Sequence, residues 1–562
     1  MLRLIFFLLL IGISFPASAA QKVEPHPESS VISQAEALQR GERIYRNGIL
    51  PSGKPVEAIV MGDIRIDGSM FSCVSCHLRG GLGSIEGGVV TPPTNGTKLF
   101  QPLYYGRELT PGERSRLSKH YQTPVIRPAY TDDTLAIALR DGIAPTGKDL
   151  SSVMPRYLLD AGDMSVLITY LKSLSSELSP GVTDKLIRFA TVITEEVPLE
   201  DRTAMLSTLE SFVADWNSQA KVREAGAKYL EIAQEKNLSY RRMSLARWQL
   251  KGPPATWRSQ LEEYQRTEPV FALLGGISTE EWKPVHEFSE EHHLPCIFPI
   301  TEFPVISGSD WYTLYFSKGL YQEGETAARA INRSADGAPD GTVLQIFRDT
   351  KEGRALSTGF QATWQELGRK PPVNWILPDN AALSKELIHH LTDTHKPSVI
   401  LLWAGPDAVS ALDFVAEDIH RPKAVYVSAS LLQQSIWTLK ENVREFTKIT
   451  YPYRLPRDEA MHATYAHAWL QKRQIPVNDG RISTRMYSLM LLMNDVLKRM
   501  QRNFYRDHFL DNISMTTVHN FLDYERLNFG PGQRYAAKGC YIVELSRGPT
   551  PSLIRISDWV VP

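Results

Sequence analysis

Apolar and polar residues follow three different patterns along the chain. At the start, Arg3 precedes an apolar run from Leu4 to Ile13, and Ala17-Ser18-Ala19 closes it with small residues, the pattern of a secretory signal over residues 1–20. The run is too short to cross a bilayer. Residues 21–32, rich in Pro, Glu and His, read as a solvated leader. Helical spacing then sets in. Ser33 is placed to cap a helix from Gln34 to Arg46, with Ala37, Leu38, Ile44 and Tyr45 as its apolar stripe, and Gly41 and Tyr45 share one face. A second such helix is predicted from Ala161 to Leu174, on Val166, Leu167, Tyr170, Leu171 and Leu174.

After a polar linker at 179–184 the period changes. Strand-like apolar runs alternate with amphipathic helices, among them Leu186 to Ile193, Val270 to Leu274, Cys296 to Pro299, Val343 to Phe347, Val373 to Leu377, Val399 to Trp403 and Ala424 to Val427. Such alternation predicts parallel sheets covered on both faces. About 380 residues exceed what one such core holds, so two lobes are expected, with ligands at the carboxyl ends of the strands between them.

Composition narrows the class. The chain has 562 residues, 43% hydrophobic and 22% charged, with net charge −1. Ordinary globular domains fit these values, and nothing points to nucleic acid or an anionic membrane. No later segment approaches ~18 uninterrupted apolar residues, so no transmembrane anchor is expected in the mature chain.

Of the four cysteines, two lie in Cys73-Val74-Ser75-Cys76-His77. Cys-x-x-Cys-His is the attachment signature of c-type haem: the thiols add across the haem vinyl groups and the His binds iron. A redox dithiol beside a His is the bland alternative, and the secretory signal favours haem. The motif occurs once, so one covalent haem c is expected. Pro92 or Pro93 is placed to accept the N–H of His77 and fix its tautomer. The sixth ligand should be a thioether or imidazole. Cys296 and Cys540 either pair or remain buried thiols.

The two flanking helices, with Gly41, Tyr45, Leu167 and Tyr170 at their crossing, together with Val153-Met154-Pro155-Arg156-Tyr157 and the segment Thr134 to Ile143, resemble class I cytochromes c. The resemblance implies an all-α cytochrome domain at 33–178, with Met154 as the second axial ligand. Met61, Met70 and Met164 are its competitors. The sequence departs from that pattern in the long interval from Ile49 to Ser72.

The second part carries a resemblance of its own. Leu273-Leu274-Gly275-Gly276-Ile277-Ser278, Pro295 to Thr301, Asp310 to Tyr315 and Phe529 to Tyr535 resemble type I periplasmic binding proteins, the superfamily of branched-chain amino acid receptors. This implies a two-lobed α/β body at 185–562, with lobe 1 at about 185–317 and 448–535 and lobe 2 at about 318–447 and 536–562. Ser278, Thr301, Trp403 and Tyr426 are the candidate ligand contacts. The pattern breaks at Thr194 to Glu200 and at Asp349 to Arg354, which lacks the usual Tyr. Amino acid binding is therefore not expected as such; another solute, or none, is.

His389, His390 and His395 suggest a metal or, more plainly, a solvated helix end. No His-Glu-x-x-His, Walker motif or nucleophile elbow is present, and Glu195, Glu196 and Glu200 read as a solvated cluster. The expectation is a periplasmic electron carrier rather than a catalyst, whose body docks a redox partner (a periplasmic dehydrogenase or another cytochrome) or binds a small solute; an enzyme acting at the haem would require that Met154 not ligate the iron. The alternative is a solute receptor with a haem redox sensor.

Overall fold

A computed structural model describes residues 32–86, 89–104, 125–227, 241–334, 341–477, 481–516, 522–525, 527–529 and 533–561. The signal at 1–20, all but the last residue of the leader, and Gly530 to Gly532 lie outside the described residues. The chain divides into two compact units, residues 1–72 with 131–171, and residues 73–130 with 172–562. The domain expected at 33–178 is thus shared between them, the Cys-x-x-Cys-His segment clustering with the α/β body.

In the first unit, the helix Gln34–Asn47 starts at Ser33, whose hydroxyl accepts the Glu36 N–H, and stops at Gly48, which is left-handed at φ 65°. It crosses the helix Ala161–Ser173 at Gly41. A Cβ there would lie 2.2 Å from the Val166 carbonyl oxygen, so only glycine permits the approach. Tyr45 and Tyr170 pack beside it with ring centroids 5.5 Å apart. These are the residues expected at the crossing. The unit is not all-α, however. The interval after the first helix forms β1 (Glu57–Val60) and β2 (Ile64–Asp67), and β1 also pairs antiparallel with β7 (Arg156–Tyr157). Turns at Gly53 and Gly62, both at positive φ, and the β-branched pair Ile59-Val60 favour a sheet in this interval.

Among the described residues the second unit contains two short antiparallel strand pairs, β3 (Ser84–Glu86) with β4 (Val89–Thr91) and β5 (Leu103–Tyr104) with β6 (Val125–Arg127), and a large α/β body. Lobe 1 is a five-stranded parallel sheet of β8 (Leu186–Thr194), β9 (Arg242–Leu250), β10 (Ala272–Leu274), β11 (Cys296–Ile297) and β12 (Thr313–Leu314), in the order β12-β11-β10-β8-β9. Lobe 2 repeats that order with β13 (Val343–Arg348), β14 (Val373–Leu377), β15 (Val399–Trp403), β16 (Ala424–Ser428) and β17 (Thr447–Tyr451). Antiparallel β18 (Tyr541–Leu545) and β19 (Leu553–Arg555) extend its edge. Each lobe is therefore doubly wound, with the strand order 2-1-3-4-5 and a switch point beside its first strand.

Both faces of each sheet are covered by apolar clusters, as continuous apolar strands require. β17 sits between β16 and β18, so the chain returns to lobe 1 only after Tyr451. The helix Ile482–Met500 then packs Met486, Leu489, Met493 and Val496 into the lobe 1 core. Cys296 and Cys540 are buried, and neither is in a disulfide. Burial raises both thiols, Cys296 to about 12. Among the described residues, no helix is long and apolar enough to cross a membrane.

Candidate functional site

Two places in the second unit gather chemistry. The first is the short helix Val74–His77. One turn of backbone, closed by the His77 N–H to the Cys73 carbonyl at 2.9 Å, presents Cys73 half-buried and Cys76 exposed, with no disulfide between them. His77 is buried, 9% exposed. Its Nδ1 lies 2.9 Å from the Pro92 carbonyl oxygen. That carbonyl can only accept, so Nδ1 carries the proton and Nε2 keeps its lone pair. Burial lowers the His77 pKa, against the Pro92 bond, and so favours the neutral ring. Two thiols and an acceptor nitrogen on one turn are the groups a c-type haem takes up. On the following strand pair the opposed residues Ile85 and Val90 are 72% and 68% exposed, an apolar surface facing away from the protein core.

The body grips this turn from behind. The Asp511 carboxylate, on the helix Arg506–Ser514, accepts the Gly80 N–H at 2.7 Å and the Arg79 N–H at 3.3 Å. The Arg79 side chain lies 3.5 Å from Asp507 and over Trp311, 4.4 Å from the ring centroid. Arg534 also packs on Trp311, at 3.9 Å. Nothing in the spacing of residues so distant along the chain marks this clamp in the sequence.

Met154 belongs to the first unit. It is half-buried in the loop before β7, and its N–H donates to the Ser151 carbonyl. Of its competitors, Met164 is buried in the helix core at 3% exposure, Met70 is 74% exposed, and the exposed Met61 sulfur accepts from Ser152.

The second place is the cleft between the lobes. Its walls come from residues just beyond strand ends: Pro299, Thr301 and Glu302 after β11, Tyr315, Phe316, Ser317 and Gly319 after β12, Ser430 after β16, and Pro452 and Tyr453 after β17. Arg485 and Tyr524 complete it. Arg485 is buried, donates to the Tyr453 hydroxyl at 2.9 Å, and lies 4.0 Å from Glu302; its Nε has no partner. Behind Tyr315, His286 bridges the Tyr315 hydroxyl (2.9 Å) and Asp310 (2.7 Å), which holds that wall rigid. At the cleft edge Lys351 of lobe 2 pairs with Glu280 of lobe 1.

Of the four residues expected to contact a ligand, Thr301 lines the cleft. Ser278 lies at the end of β10, buried, bonded to Glu196 and accepting the Glu280 N–H. Glu196 is thus tied into the switch point of lobe 1 rather than simply solvated. Trp403 and Tyr426 do not reach the cleft. Both are core residues of lobe 2, packed with Leu356 and Phe360, and the Trp403 indole donates to Gln345. Aromatics at strand ends look alike in sequence whether they face the helix layer or the cleft. Among the described residues no group of three or more His, Cys, Asp or Glu side chains is placed to hold a metal ion, and this includes His389, His390 and His395.

No family model matches the chain, and no curated protein matches it. Solved structures do. The chain is similar to an ABC transporter substrate-binding protein from Sphaerobacter thermophilus, at 13% identity over 67% of this chain and 98% of that one, with a TM-score of 0.48. A periplasmic binding protein type 1 from Bordetella pertussis Tohama I matches at 13% identity over 66% of this chain and 100% of that one, TM-score 0.47. A branched-chain amino acid ABC transporter from Thermus thermophilus with bound valine matches at 12% over 68% and 98%, TM-score 0.46.

Proposed function

We propose that the chain is a periplasmic electron carrier bearing one covalent haem c. Cys73 and Cys76 would hold the macrocycle, and His77 and Met154 would be the protein ligands of its iron. The supporting observation is the His77–Pro92 contact, which leaves Nε2 as the acceptor beside two thiols on the same turn. The bound haem supplies one-electron chemistry, and two protein ligands on iron favour electron transfer over turnover of a substrate. The chain's own part is to orient the imidazole through Pro92 and to hold the turn through Asp511. A redox partner, a dehydrogenase or another cytochrome, would exchange the electron.

A second reading is favoured by the cleft: the α/β body binds a small solute, and the haem reports or follows that event. Walls built from the carboxyl ends of both doubly wound sheets support it. Spectra and redox titration of the periplasmic protein, with and without solutes, test both readings. A weak far-red thioether–iron band in the oxidised form supports Met154; its absence from folded holoprotein removes Met154 from the proposal.

A further inference from the structure

We infer that the helix Pro456–Lys472 joins this chain to a second copy of itself in an antiparallel pair. The helix lies on lobe 1, and its inward face is settled there. Ala463, Ala466 and Leu470 are buried, and half-buried Trp469 meets Tyr487 of the helix Ile482–Met500 with ring centroids 5.4 Å apart. Glu459 pairs with Arg481 at 2.9 Å, and Arg473 with Asp215 at 2.7 Å. Those charges serve the chain's own fold.

The outward face carries a different pattern. Asp458, Met461, Tyr465, Ala468 and Lys472 follow one another at alternating intervals of three and four residues, the spacing of a coiled-coil seam. Met461 is 62% exposed and Tyr465 85% exposed. Ala468 and Lys472 are exposed as well, and Asp458 is half-buried. Two large apolar side chains one turn apart, open to water at the centre of such a seam, form half of a contact that one chain does not complete.

The seam is its own complement. A two-fold axis at Tyr465 sets Asp458 of one copy opposite Lys472 of the other, at both ends of the pair. Met461 then falls opposite Ala468, large against small, and the two Tyr465 rings meet at the axis. The helix dipoles run head to tail in this setting. A parallel pair would instead set Asp458 against Asp458 and Lys472 against Lys472, and like charges in register oppose it. One face supplies both halves of the fit, which is why the occupant is a second copy and not an unrelated chain. From Asp458 to Lys472 the seam is about 21 Å long, a small contact, so the pair forms reversibly.

The test is sedimentation equilibrium of the full-length holoprotein across a range of concentrations. A monomer–dimer equilibrium with a Kd of about 1–100 µM is expected. Met461→Glu/Tyr465→Glu is expected to weaken the dimer by more than about 100-fold, with an unchanged melting temperature, since both side chains face water in the single chain. Lys472→Glu alone should weaken it by about 10-fold by setting two acids together, and adding Asp458→Lys should restore it. This exchange reads the antiparallel setting even where the double-acid variant fails to fold. A monomer at every concentration up to about 1 mM overturns the inference. So does a dimer that persists in Met461→Glu/Tyr465→Glu, because it joins through another surface. A dimer indifferent to the charge exchange overturns the antiparallel setting.

Discussion

The Asp511 carboxylate accepts the Gly80 backbone N–H at 2.7 Å, three residues beyond His77. With the second bond to Arg79 it satisfies two adjacent main-chain donors of the motif turn from a helix more than 400 residues further along the chain. Asp511→Ala leaves both N–H groups without this acceptor in a buried place. The expected cost is about 2–4 kcal/mol, read by denaturant unfolding. A loss below about 0.5 kcal/mol would show that the turn stands without the clamp.

Gly41 makes a second close approach, in the other unit. Gly41→Val would drive its side chain into the Val166 carbonyl and the Tyr170 Cβ, 2.2 and 2.6 Å from an ideal Cβ. Neither neighbour is a flexible side-chain end, so the helices must separate. Destabilisation of about 1–3 kcal/mol is expected, with loss of the near-ultraviolet signal of the Tyr45–Tyr170 pair. An unchanged melt would refute the crossing.

Three fully buried carboxyls each lower stability as pH rises through the mildly acidic range. Burial pushes Glu323 up to about 7, against hydrogen bonds from Ser430, Thr450 and Ser428; it pushes Asp511 to about 7 and Asp523 to about 6. Unfolded, they ionise at ordinary values of 4.5 for Glu and 3.8 for Asp. Below those values both states are protonated and the stability is whole. As pH rises the unfolded chain gives up its protons first, so stability falls until the folded groups ionise near pH 6 to 7. These three groups therefore contribute a decline from about pH 4 to 7, opposed by buried His508, which burial holds down at about 4, and Glu323→Gln should make the urea midpoint fall less over that interval than it does in the unsubstituted protein. A pH dependence unchanged in Glu323→Gln would contradict the Glu323 assignment.

Cys296 and Cys540 are both fully buried, with thiols raised by burial, so alkylating reagents are expected to miss them in the native protein. Denatured holoprotein should expose these two thiols, the other two being held in thioethers. Rapid native labelling of either would mean that its lobe opens readily.

Much of the fold is written in local patterns. Continuous apolar runs such as Val399 to Trp403 became central parallel strands, and the Gly41–Tyr45 face met Tyr170 as its spacing implied. Pro92, one of two prolines placed to orient His77, does so. What escaped was decided by contacts between distant residues. The direction in which Trp403 and Tyr426 point depends on which helix covers the strand, and both met the Leu356–Phe360 layer. Arg485 reads as a polar interruption in an apolar helix until the fold carries it to the cleft wall. The Ile49 to Ser72 interval became a sheet because β1 found a third strand in Arg156–Tyr157, far along the chain.

The most direct test of the central claim is the mass and haem-stained mobility of the protein made in a periplasm with an active cytochrome c maturation system. The account predicts one haem retained under denaturing conditions, lost in Cys73→Ala/Cys76→Ala, with two thiols still open to alkylation in the native sequence. A denatured protein with no added mass and four reactive thiols would contradict it.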